Sequence, residues 1–69
     1  MPSSLYEIEV HGTIGATALV ALEGFDVVST GGGCTTLRGR VVDQSALHGV
    51  LNQVSRLGLE LTAVTPVDD

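Results

Sequence analysis

The chain contains no lysine and no tryptophan, one cysteine, and only two aromatic residues, Tyr6 and Phe25. Each scarcity closes off a class of protein. A single cysteine, Cys34, forbids an internal disulfide. Cys34, His11 and His48 are the only thiol and imidazole groups, too few and too scattered for a structural zinc site, so no metal and no cofactor is expected. Without lysine the cations are Arg38, Arg40 and Arg56, set against eight acids for a formal net charge of −5. Such a chain cannot neutralise a run of phosphates, which argues against nucleic acid as a partner. It also offers no basic patch to an anionic membrane surface. No apolar run approaches the roughly 18 residues of a spanning helix. Met1-Pro2-Ser3-Ser4 has neither the basic nor the apolar stretch of a secretory signal, so cytoplasmic residence is the expectation.

With disulfide and metal excluded, little remains to support a chain of 69 residues beyond its own core. It makes one domain, 1–69, and a domain of this size buries only about 60% of its unfolded surface. Scaffolds this small commonly rely on a partner subunit, and self-association is expected on that ground.

The pattern along the chain alternates between strand and helix periods. Leu5 to Val10 places Tyr6, Ile8 and Val10 on one side and Leu5, Glu7 and Glu9 on the other, a half-buried strand. Ile14 to Leu22 has helical spacing, with Ile14, Ala18, Ala21 and Leu22 on the core face, and Gly24 stops it. Asp26 to Thr30 is a short strand, Gly31-Gly32-Gly33 a turn, and Thr35 to Val42 a third strand with Thr35, Leu37, Gly39 and Val41 facing in. Asp43 caps a second helix whose stripe is Leu47, Val50, Leu51, Val54 and Leu57. Gly58 ends it, and Glu60 to Thr65 is the last strand. Residues 1–4 and 66–69 are expected to fray.

Each half therefore reads strand, helix, glycine stop, strand. Two such halves predict an α+β, ferredoxin-like β-α-β-β-α-β sandwich. Its sheet is antiparallel in the order 4-1-3-2, with both helices on one face. The outward residues support the central pairing of strands 1 and 3, since Glu7 and Glu9 would face Arg38 and Arg40.

Three surfaces stand out. The open sheet face carries Glu7, Glu9, Thr36, Arg38, Arg40, Glu60 and Thr62, and no aromatic platform for stacking bases. The first helix has no charged residue between Ile14 and Leu22, and Ala16, Leu19 and Val20 are the candidate subunit interface. At one end of the sheet, His11, Gly12 and Thr13 should meet the turn carrying Gly32 and Cys34, a candidate ligand-binding edge. No catalytic residue is assigned. A Cys34–His11 pair is the thiol chemistry this edge could offer. His48, Asn52 and Arg56 form a polar strip on the second helix, read as a solvated face.

Two resemblances follow. The run Tyr6-Glu7-Ile8-Glu9-Val10-His11-Gly12, with Asp43 to Leu51 and Leu57 to Leu61, resembles a group of short uncharacterised actinobacterial proteins, a likeness that implies no chemistry. In element order the chain is also similar to ACT-type regulatory domains, whose turn after strand 1 helps to form a ligand site. Val10-His11-Gly12-Thr13-Ile14-Gly15 occupies that place, without the Asp and Pro common there. The expected function is a small non-enzymatic interaction or accessory protein acting as a homo-oligomer, with a protein or small-molecule partner. The alternatives are an ACT-like small-molecule-binding domain and a thiol-dependent enzyme using Cys34.

Overall fold

A computed structural model describes residues 3–22 and 24–67. The elements run β1 (Ser4–His11), α1 (Ala16–Ala21), β2 (Phe25–Gly31), β3 (Cys34–Val41), α2 (Gln44–Arg56) and β4 (Glu60–Val67). All pairings are antiparallel and the sheet order is β2-β3-β1-β4. A sheet can be counted from either edge, and from the β4 edge the same neighbours run 4-1-3-2.

The central β1–β3 register sets Glu7 opposite Arg38, Ile8 opposite Leu37 and Val10 opposite Thr35. Opposed residues share a face, so one register sorts the whole sheet. Ile8, Val10, Leu37 and Val41 are buried on one side, joined by Phe25 of β2, Leu22 after α1, and Leu47 and Val54 of α2. Both helices thus lie against the same face. The other face shows Arg38 and Arg40 exposed and Glu7 and Glu9 half-exposed.

Local chemistry fixes the element ends. The two-residue turn Gly32-Gly33 has φ of +61° and +80°, the positive values that a tight hairpin needs and that glycine adopts without strain. Asp43 accepts a 2.8 Å hydrogen bond from the Ala46 amide and so caps α2. At the far end of α2, Gly58 takes φ +75° and donates to the Ser55 carbonyl, while Leu59 donates to Val54. This is a Schellman closure.

The structure corrects several boundaries. α1 is shorter than its apolar run, starting at Ala16. Its cap position is Gly15, which has no side chain to hold the first free amides, so Ile14 stays outside the helix. Leu19, expected off the core face, packs against the core instead. It stands three residues before the buried Leu22 and shares its side of the helix. Ser4, Pro66 and Val67 were expected to fray but belong to strands, with Ser4 opposite Val41, Pro66 opposite Tyr6 and Val67 opposite Leu5. Pro66 is tolerated because β4 is an edge strand. Met1, Pro2, Asp68 and Asp69 lie outside the described residues.

Both edges are irregular. β2 slips register between Val27 and Ser29, and the β1–β4 pairing slips between Glu9 and Val10, leaving Val28 and Thr62 without a partner in the ladder. Bulges and an edge proline hinder a foreign strand from adding on.

Two glycines give opposite expectations. A Cβ on Gly39 would lie 2.5 Å from the Gly24 carbonyl oxygen and 2.6 Å from Phe25 Cγ. Gly39 is therefore the seat of the Phe25 ring, and Gly39→Ala should cost about 1–3 kcal/mol through overpacking. Gly49 is exposed inside α2 with nothing within 4 Å of the same position. Gly49→Ala should stabilise by about 0.5–1 kcal/mol. Urea unfolding of the two variants checks the pair, and equal effects would disprove the seating of Phe25 on Gly39.

Candidate functional site

β1 delivers His11 to the end of the sheet, where it stands directly opposite Cys34, the first residue of β3. On its other side His11 faces Glu60, the first residue of β4. The three therefore form one row across β3, β1 and β4. Sequence reasoning paired His11 with Cys34 and missed Glu60 as the third member. The signal was available, because strand 1 ends and strand 4 begins at the same end of an antiparallel pair. His11 and Glu60 are exposed and Cys34 is half-buried. Among the described residues no hydrogen bond links the three side chains, and no cluster of three or more His, Cys, Asp or Glu is arranged to hold a metal ion.

The backbone around this row is tied to itself. The Gly12 amide donates to the Gly33 carbonyl at 2.6 Å. Thr35, only 1% exposed, donates through Oγ1 to the Gly12 carbonyl at 2.7 Å. Gly12 is thus held by both of its peptide groups to the β2–β3 hairpin. Of the expected ligand-edge residues, the structure brings His11, Gly12 and Cys34 together at this latch, with Gly32 in the adjoining turn. Thr13 lies in the exposed connection towards α1.

The open sheet face is charge-paired. Arg38 donates from Nε and Nη2 to Glu7 Oε2 across the central strands. The pair is part-exposed and contributes at most about 1 kcal/mol. Thr62, the bulged residue of β4, shares its one hydroxyl proton between the Glu9 carbonyl at 3.0 Å and Glu9 Oε2 at 2.9 Å. Glu7 and Glu9 are therefore each matched to a donor within one chain.

The candidate interface divides. No residue of α1 is buried, and Ala16 and Val20 are exposed, Val20 by 79%. Leu19 turns inward, as described above. On α2, His48, Asn52 and Arg56 are all exposed.

These features define a small α+β domain with a four-stranded antiparallel sheet, one face covered by helices and the other open. Over residues 5–65 it matches a family model described as Domain of unknown function (DUF8691), and the chain belongs to that family. No curated protein and no solved structure matches it. Among the described residues no helix is long and apolar enough to cross a membrane.

The latch can be tested directly. Thr35→Val keeps the shape but removes the donor to the Gly12 carbonyl and should cost about 1–3 kcal/mol. Cys34→Ser, at a half-buried position whose side chain makes no hydrogen bond among the described residues, should change stability by no more than about 0.5 kcal/mol. Denaturant titration of both variants checks this. A Thr35→Val variant as stable as the parent would show that the hairpin does not depend on the bond.

Proposed function

We propose that the chain is a small non-enzymatic interaction protein that acts as a homo-oligomer, most simply a dimer, on a ferredoxin-like scaffold. The element order, the antiparallel pairing and the common helix face support the scaffold assignment. The observation that carries the functional reading is Val20, a large apolar side chain 79% exposed on a helix with no buried residue.

Charge explains why a second copy is the favoured occupant. Two copies of a chain with net charge −5 repel each other over most of their surface. The segment from Gly12 to Leu22 carries no charge, so it can face its own duplicate without burying like charges. The need is equally plain, since only eight hydrophobic side chains make up the buried core among the described residues. Covering Val20 and Ala16 would extend that apolar interior across a two-fold axis, where the same patch meets itself. The irregular sheet edges argue against the other simple route, strand addition.

Sedimentation equilibrium at tens of micromolar tests the reading. The parent chain is expected to be dimeric or larger. Val20→Glu, which would bury an unpaired charge, should weaken association at least about ten-fold while leaving the circular dichroism spectrum unchanged. A parent chain that is monomeric and stable would overturn the proposal. An oligomer indifferent to Val20→Glu would remove α1 from the interface.

A further inference from the structure

The open sheet face holds a concavity of about 430 Å³ at the end opposite His11, near the start of β2. Leu5, Asp26, Val28, Arg38 and Arg40 line it with the glycines Gly24 and Gly39. Its origin is local. Gly24 places no side chain there, with nothing within 4 Å of where its Cβ would stand, and the register slip between Val27 and Ser29 releases Val28 from the ladder.

Two charged groups in it have capacity left. Asp26 and Arg38 are register partners on neighbouring strands. Arg38 spends Nε and Nη2 on Glu7, on the β1 side, and its Nη1 makes no hydrogen bond among the described residues. The Asp26 carboxylate has no hydrogen-bond or ion-pair partner among the described residues. Among the described residues an unpaired anion and a partly engaged cation thus sit side by side, flanked by the aliphatic side chains of Leu5 and Val28.

We propose that this concavity binds a small zwitterion with an aliphatic body, of the chemical class of free aliphatic amino acids. Its ammonium group binds Asp26, its carboxylate binds Arg38 Nη1, and its hydrocarbon lies on Leu5 and Val28. Charge decides the class. A simple anion on Arg38 meets the neighbouring Asp26, and a simple cation on Asp26 meets Arg38 and Arg40, so each faces a like charge beside its partner. A molecule carrying both charges is attracted at both ends. Opposed side chains on adjacent strands stand about 5 Å apart, a span that an ammonium and a carboxylate on one carbon bridge with a hydrogen bond at each end. A polar zwitterion without hydrocarbon would leave Leu5 and Val28 in water and gain nothing from them. The site is on the sheet face away from α1, so it stands or falls independently of self-association.

Calorimetric titration and amide chemical-shift mapping of the full chain test it, with leucine as the probe. Leucine is expected to bind saturably, with a Kd on the order of 1 mM for so open a site, and to shift the amides of Leu5, Asp26 and Val28. N-acetylleucine, leucinamide and glycine, lacking the cation, the anion and the hydrocarbon in turn, should each bind at least about ten-fold more weakly. Asp26→Asn should cause a similar loss. Val28→Ser should also weaken leucine and serves as the second variant if Asp26→Asn disturbs the fold, as checked by circular dichroism. No saturation with leucine at tens of millimolar would overturn the proposal. So would equal binding of either blocked derivative, or shifts confined to residues 11–13 and 32–34.

Discussion

The pairing of β1 with β3 is the constraint on which the rest depends. One register decides which side of every central residue is wet. With Glu7 opposite Arg38 and Ile8 opposite Leu37, the charged side chains of the central pair fall on one face and its buried apolar side chains on the other. A slip by one residue would turn Ile8 and Val10 to solvent and carry Glu7 and Glu9 into the core. The Glu7–Arg38 ion pair contributes little energy at an exposed site. Its role is in matching, since the slipped register would lose it as well as the core. Everything outside the pair is hung on it, with β4 added beside β1, β2 beside β3, and the helices laid on the apolar side.

That separation explains which parts of the fold were legible in the sequence. The strict alternation in β1 and β3, the stripe of α2, and the glycine after each helix are local signals with period and punctuation, and they place those elements within a residue or two. The opposite charges on β1 and β3 made their adjacency readable. α1 was harder, because its apolar residues surround the helix and Thr17 is its only polar side chain. The side of Leu19 was therefore not decided by periodicity and had to be decided by packing. The strand character of Pro66 and Val67 was hidden for a different reason. Proline reads as a stop, yet an edge strand accepts it, and edge position is a property of the whole sheet.

The candidate sites were less visible, since they depend on contacts between segments distant in sequence. The meeting of His11 and Cys34 could be anticipated from topology, but Glu60 as a third neighbour required the β1–β4 register. The concavity near Gly24 was not anticipated at all. It rests on the irregularity at Val28, which breaks the alternation of β2, and nothing in Asp26-Val27-Val28-Ser29 announces a bulge.

The two ends of the sheet differ in how their polar groups are spent. At the His11 end, the amide and carbonyl of Gly12 are both bonded to the β2–β3 hairpin, and the buried Thr35 hydroxyl is committed to the same latch. Groups engaged in this way hold the hairpin against the exit of β1, and a ligand would have to displace them to use them. At the Gly24 end Arg40 is engaged, but among the described residues Asp26 and Nη1 of Arg38 have no partner, beside exposed aliphatic surface. Binding to groups that already have protein partners gains only the difference between two hydrogen bonds, whereas binding to groups facing water gains the bond less its hydration. The difference supports the proposed site at the Gly24 end over one at the His11 end.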